Sequence, residues 1–378
     1  MSGRTISVNV IRIPTKGPGD VSGLMALIAA GTVDPATILA VLGKTEGNGG
    51  VNDFTREYAL ASLCEALSPH LNLVPRAVED RIAFVMSGGT EGVLSPHVTV
   101  FTRSINGAAP SNSAAGANGE DEAGSKRLSI GIAHTRDFLP EEIGRQAQMA
   151  ETVKAVHSAM SDAAIDDPRD VHFVQIKCPL LTSERIEAAL HRGHATVTTS
   201  GYASMGYSRG ASALGVAMAL GELESEVRDD QVLKDWDLFS SVASSSAGIE
   251  LMHNVVIVMG NSAASQSPFV IGHAVMSDAI DLAAVVNALD SVSLSGADVH
   301  NGRLVNIFAK AEASPDGCVR GLRHTMLDDS DVSSTRHARA AVGGLIAGLS
   351  GTGAVYVSGG AEHQGPPGGG PVAVIARV

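Results

Sequence analysis

The sequence predicts an α/β protein built from three β-α-β units of similar plan. Three observations carry the prediction. One order of strand and helix patterns returns three times along the 378 residues. In each pass an apolar strand closes on a lysine, at Lys44, Lys177 and Lys310. In each pass a serine also stands four residues before a glutamate, in Ser87 to Glu91, Ser246 to Glu250 and Ser358 to Glu362.

In the first pass, alternation over 5–13 predicts a strand, a helix begins near Val21, and an apolar strand at 37–42 runs into Gly43-Lys44. A helix from Arg56 and strands at 82–86 and 97–102 complete it. The second pass reads strand 128–133, helix 140–164, strand 171–176 ending at Lys177, helix 208–224, a strand before Ser246 and strand 254–259. The third reads strand 268–275, helix 277–289, strand 304–309 ending at Lys310, helix 335–349, strand 354–357 ending at Ser358 and strand 371–376. Between the first two passes, 106–126 is rich in Ala, Gly, Ser and Asn without apolar periodicity, which is the composition of a flexible linker or loop. The units are therefore placed at 1–104, 127–262 and 263–378, with 105–126 as the connection.

Composition narrows the function. With 27 Lys and Arg against 40 Asp and Glu the net charge is −13, which leaves no basic stripe for a nucleic-acid backbone and favours a small or neutral partner. The start lacks a basic segment followed by an apolar one, so no secretory signal is expected. The longest apolar runs, at 254–260 and 340–349, fall short of the roughly 20 residues that span a membrane. Cys64, Cys178 and Cys318 form no close pair, which suits packing residues in a reducing cytoplasm.

A lone lysine at a strand end is ordinarily a solvated residue. Three at equivalent strand ends, each with a serine ending a later strand of the same unit, point to a shared polar site. Three helices also open on an arginine behind a hydroxyl residue, in Thr55-Arg56, Ser208-Arg209 and Thr335-Arg336. A duplicated fold alone would explain recurring glycines but not recurring lysines. Serine is a weak nucleophile until a base takes its proton, and a neutral lysine amine can be that base. Convergence of three arginines and three lysines would disfavour the ammonium form, and burial acts in the same direction. The small residues Gly88, Ala247 and Gly359 after the serines let backbone N–H groups approach a substrate oxygen, as an oxyanion hole requires. Arginines would hold carbonyl oxygens by charge-assisted hydrogen bonds.

Other motifs fail. Gly43-Lys44-Thr45 would need the first glycine of a P-loop at Ile38. Neither a G-x-S-x-G elbow nor an H-E-x-x-H pair occurs, and His97, His253 and His363 have no metal-ligand spacing. A non-catalytic small-molecule receptor would show loss of a serine or lysine from one unit, and all three sets are intact.

At these residues the chain resembles the ring-opening amidohydrolases of the cyanuric acid hydrolase and barbiturase family, in GKTEGNG, VMSGGTEGVLSPH, VQIKCPLLT, SMGYSRGASALG, SAGIELMHNVV, FAKAEASPDG and VSGGAEHQGPPGGGP. The resemblance spans nearly the whole chain except 106–126. It implies three similar domains around a pseudo-threefold axis with one central active site, and a homotetramer as the assembly. It makes Arg56, Ser87, Gly88, Arg209, Ser246, Ala247, Arg336, Ser358 and Gly359 substrate contacts, with Lys44 and Lys310 as supporting lysines. By the same resemblance Ser246 is the nucleophile and Lys177 its base. It calls for no organic cofactor but implies a divalent cation, Mg²⁺ or Ca²⁺, at Glu312, Ala361, Gln364, Gly365, Pro366 and Gly369. One carboxylate among carbonyl oxygens suits such a hard ion. The implied substrate is cyanuric acid, whose three carbonyls alternate with three N–H groups and so match three near-identical side-chain sets. Barbituric acid is the runner-up.

Overall fold

Strands that are apolar on both faces must lie inside a sheet covered on both sides, and each lysine-ended strand is of this kind. A computed structural model describes residues 5–105, 125–224, 226–295 and 298–378. The first unit runs β1 (Ile6–Pro14), α1 (Ser22–Ala29), β2 (Ile38–Thr45), α2 (Phe54–Leu71), α3 (Pro75–Arg81), β3 (Ala83–Gly88) and β4 (His97–Ile105). The second runs β5 (Arg127–His134), α4 (Gln146–Asp162), β6 (Val171–Pro179), α5 (Ser183–His191), α6 (Gly201–Ala219), β7 (Ala243–Gly248) and β8 (Val255–Ser262). The third runs β9 (Phe269–Met276), α7 (Leu282–Asp290), β10 (Leu304–Ala311), the short hairpin β11 (Cys318–Val319) and β12 (Leu322–Arg323), α8 (Ser334–Ser350), β13 (Tyr356–Gly359) and β14 (Gly370–Arg377).

The three four-stranded sheets share one topology: β1-β4-β2-β3, β5-β8-β6-β7 and β9-β14-β10-β13. In each, the lysine strand and the serine strand are a parallel pair at one edge, and the remaining pairings are antiparallel. Even the irregularity is shared, because the lysine strand slips register near its start in all three, between Ile38 and Ala40, Val171 and Phe173, and Leu304 and Asn306.

Alternation gives every sheet two apolar faces. The inner faces meet in one core that takes Ile6, Leu42 and Phe101 from the first sheet, Ile130, Phe173 and Ile257 from the second, and Phe269, Phe308 and Tyr356 from the third. The outer faces pack separately under their own helices, for example Val41 against Leu63 and Leu67 of α2, and Val374 against Val285 of α7 and Val342 of α8. This arrangement brings three serine edges toward one centre.

Several expected boundaries move. Helix α6 starts at Gly201, where the Ser200 side chain accepts from the Ala203 N–H, rather than at 208, so Arg209 lies mid-helix. Helix α7 starts at Leu282 behind the Asp281 cap rather than at 277. Pro140–Glu142 is a 3₁₀ turn that precedes α4. Helices α3 and α5 and the β11–β12 hairpin were not expected; each is too short to show a period against its neighbours. Residues 106–124 of the expected linker lie outside the described residues. Among the described residues no helix is long and apolar enough to cross a membrane.

Candidate active site

The parallel strand pairs place each lysine directly beside its serine, with Lys44 opposite Ser87, Lys177 opposite Ser246 and Lys310 opposite Ser358. All six residues are buried. Lys44 Nζ donates to Ser87 Oγ at 3.1 Å and to the Gly88 carbonyl at 3.2 Å. Lys310 Nζ donates to Ser358 Oγ at 3.2 Å, the Gly359 carbonyl at 3.0 Å and the Ser245 carbonyl at 2.9 Å. The second pair departs from the expectation that each lysine bonds its own serine. Lys177 Nζ lies 2.8 Å from Glu250 Oε1 and donates at 3.4 Å to the Met86 carbonyl. An ammonium in a dry site gains more from a carboxylate than from a neutral hydroxyl.

The three units interlock at this point. Lys177 reaches the residue before Ser87, and Lys310 reaches the residue before Ser246. Ser246 Oγ is 3.2 Å from Ser358 Oγ. The buried Tyr356 hydroxyl faces both Ser87 and Ser246 without completing a well-formed hydrogen bond. Ser87, Ser246 and Ser358 thus share one polar centre.

The arginines run round the centre in the opposite sense, each reaching the serine turn of the next unit. Arg56 donates to the Ala247 carbonyl at 3.1 Å and the Gly50 carbonyl at 2.6 Å. Arg209 grips Glu362 through Nε at 2.8 Å and Nη2 at 2.5 Å. In the third unit Arg339 makes this fork, donating from Nε and Nη2 to Glu91 at 2.8 and 2.6 Å. Arg336, the residue expected there, adds a single 3.0 Å bond to Glu91, and its side chain is 40% exposed against 4% for Arg339. Helix phase explains the difference: buried Ala59 and Leu63 follow Arg56 at three and seven residues, Ser212 and Val216 follow Arg209, and Val342 and Ile346 follow Arg339. Counting from Arg336 puts Arg339 and Gly343 at those positions. That spacing was the available signal, and the hydroxyl before Arg336 misled.

Backbone geometry lets the guanidinium groups approach. Gly89 (φ 108°) and Gly360 (φ 79°) are left-handed, and a side chain on either would meet Nε of Arg339 or Arg209 at 2.5 Å. Gly248, their counterpart in the second unit, is not left-handed.

Burial sets the charges. Desolvation, followed by the nearby Arg339 guanidinium, pushes Lys44 well below the usual lysine range. Desolvation with Arg209 lowers Lys310 to about 7. Desolvation also lowers Lys177, but Glu250 opposes it. Partial desolvation alone would raise the Glu250 carboxyl, yet the Lys177 ammonium outweighs it and holds Glu250 at about 2.

A cavity of about 890 Å³ opens beside this centre, walled by Tyr202, Arg209, Trp236, Glu312, Arg339 and Gly359 among others. At its edge lies the turn 361–369. Glu312 is a half-buried carboxylate raised by desolvation and by Glu362, and it accepts from the Ala313 N–H at 3.0 Å and from Thr335 Oγ1 at 3.5 Å. Ala361 and Pro366 each use their carbonyl once, accepting from Gln364 and Gly369 N–H, which leaves each a lone pair. The Gln364 side chain is committed to the Ser245 N–H and to the Gly360 and Glu362 carbonyls. Among the described residues no three His, Cys, Asp or Glu side chains gather in metal-binding geometry. A carboxylate raised by desolvation, on a cavity wall shared with Ala361 and Gly365, is of the chemistry that suits a hard cation held mainly by backbone oxygen.

With this geometry in place, the chain matches the family described as amidohydrolase ring-opening protein over residues 9–377. The chain belongs to that family. It is 73% identical over 377 residues, covering 99% of both chains, to a cyanuric acid amidohydrolase of Bradyrhizobium diazoefficiens. It is 61% identical to one of Pseudomonas sp. strain ADP, covering 98% of this chain and 99% of that one. A solved cyanuric acid hydrolase, described as an evolutionary innovation by structural concatenation, superposes with a TM-score of 0.91 at 60% identity, covering 99% of this chain and all of the other. Another, from A. caulinodans, gives 0.87 at 48% identity, covering 98% and 99%. Ring-opening amidohydrolases cleave cyclic amides, and this member carries three similar sheets about one centre.

Proposed function

We propose that the protein hydrolyses cyanuric acid to carboxybiuret, which loses CO₂ to give biuret. The observation that carries this reading is the identical register of three buried Lys–Ser strand pairs around one centre, in a chain whose relatives are named for that substrate. A ring with three equivalent carbonyl and N–H edges is the ligand for which three such sets are complementary.

Lys177, as the neutral amine, takes the proton of Ser246, whose Oγ attacks one ring carbonyl. Backbone N–H groups at the Ser246-Ala247 turn stabilise the resulting oxyanion, while Ser87-Gly88 and Ser358-Gly359, held by Lys44 and Lys310, orient the other two edges. Arg56, Arg209 and Arg339 polarise the carbonyls. Lys177 returns the proton to the departing ring nitrogen as the C–N bond breaks. Water then enters, and its attack on the acyl-serine releases Ser246 and the linear product. A divalent cation at Glu312 and the carbonyls of Ala361, Gln364, Gly365, Pro366 and Gly369 would compensate the Glu312 charge and brace the Ser358 turn. We also propose a homotetramer in the cytoplasm.

The test is to give the purified protein cyanuric acid and barbituric acid separately, following loss of ring absorbance and formation of biuret. Turnover of cyanuric acid with biuret and CO₂ in equal amounts is expected. Preference for barbituric acid would replace the substrate assignment, and absence of turnover on both would leave a binding protein.

A further inference from the structure

We propose that Glu250 distinguishes the second Lys–Ser pair from the other two, by holding Lys177 as an ammonium turned from Ser246 and so setting the pH at which Lys177 is released to act as base. The inference rests on the reading of Lys177 and Ser246 given above.

Glu91, Glu250 and Glu362 occupy the same place, four residues beyond each serine. Glu91 and Glu362 are taken by the forked guanidinium groups of Arg339 and Arg209. Glu250 is left free of such a fork, because Arg56 directs one N–H of each terminal nitrogen to the Ala247 and Gly50 carbonyls instead. The turn differs too: Gly89 and Gly360 are left-handed and Gly248 is not. Glu250 therefore lies against Lys177 at 2.8 Å, while Lys44 and Lys310 bond their serines. Among the three lysines only Lys177 is ion-paired with the glutamate of its own unit, and it belongs to the pair read as reactive.

The groups facing Lys177 are Glu250, Arg56 and Cys178. Those facing Glu250 are Lys177, Arg56 and Arg185. The Glu250 side chain is 32% exposed and lines a second cavity of about 490 Å³ with Arg185, His134 and His253. Before the reaction Lys177 gives one proton to water on this side. It then takes the Ser246 proton, so its charge is restored as Oγ becomes nucleophilic. Glu250 acts through Lys177 and is a positioning residue.

The test is the pH dependence of kcat/KM for cyanuric acid in wild type and Glu250→Gln, which keeps the shape and removes the charge. Comparing variants on one substrate cancels ionisation of the ring. Without the carboxylate, Lys177 stays neutral to lower pH, so the acid limb should move down by roughly one unit or more. A purely structural role would lower kcat/KM at every pH and leave the limb in place. An unmoved limb, or one displaced upward, overturns the proposal. If melting curves show Glu250→Gln unfolded, Glu250→Asp is measured instead; its shorter carboxylate should give a smaller shift in the same direction, and no shift again overturns it. Lys177→Ala separates the two claims. If it retains turnover, the base assignment fails; if it is inactive while Glu250→Gln leaves the limb unmoved, only the role of Glu250 fails.

Discussion

Lys177 and Ser246 stand side by side on adjacent parallel strands, yet the lysine nitrogen is paired with Glu250 and the serine hydroxyl lies 3.2 Å from Ser358. The sheets impose threefold symmetry on the backbone, and the side chains break it at one unit. A symmetric ring needs symmetric recognition, whereas cleavage of one bond needs one nucleophile. On the function proposed above, the shared register would supply the first and the local change of ion pairing the second.

The first prediction separates two arginines three residues apart. Arg339→Ala should lower kcat/KM by about 10- to 150-fold, the effect of losing a charge-assisted contact of about 1.5–3 kcal/mol. Arg336→Ala, which removes a half-exposed side chain with one bond to Glu91, should lower it only about two- to fivefold. Steady-state kinetics on both variants decides, and the reverse order would return Arg336 to the site.

The second concerns stability and pH. Folded Lys44 releases its proton well below 10.5, whereas the unfolded chain keeps it up to that value. Between those two values the unfolded state holds a proton that folding releases, so raising the pH favours the folded state. Lys44→Met removes this contribution. Its Tm should rise less steeply between pH 7 and pH 10 than that of the wild type, measured as melting temperature across the range. Parallel curves would mean that Lys44 is not buried neutral.

Much of this was legible in the sequence because repetition turns weak signals into strong ones. One lysine at a strand end says little, but Lys44, Lys177 and Lys310 with Ser87, Ser246 and Ser358 place the paired lysine–serine edge of all three sheets. What escaped depends on relations across units. Arg339 was missed because a hydroxyl–arginine dipeptide was followed instead of the apolar residues at three and seven positions beyond. The pairing of Glu250 with Lys177 was missed because it follows from Arg56 being occupied by Ala247 and Gly50, which no local pattern records. The early start of α6 at Gly201 was hidden by its glycines and serines, poor helix formers that are tolerated where tight packing decides.

The third prediction tests the cation. Adding Mg²⁺ or Ca²⁺ after chelation should raise the wild-type Tm, since an ion bound only by the folded state stabilises it by about 2.7 kcal/mol at a hundred times its Kd. Glu312→Ala should lose that response. An equal rise in both proteins would place the ion elsewhere.

The last prediction concerns the serine that reacts, and the measurement is kcat for cyanuric acid in Ser87→Ala, Ser246→Ala and Ser358→Ala side by side, with ligand binding followed in each. Removing a nucleophile costs roughly 10⁴-fold or more, whereas removing a positioning hydroxyl costs far less. Ser246→Ala should therefore bind the ring and fail to open it, while the other two retain measurable turnover with weakened binding. Substantial turnover by Ser246→Ala, with Ser87→Ala or Ser358→Ala inactive, would contradict the account.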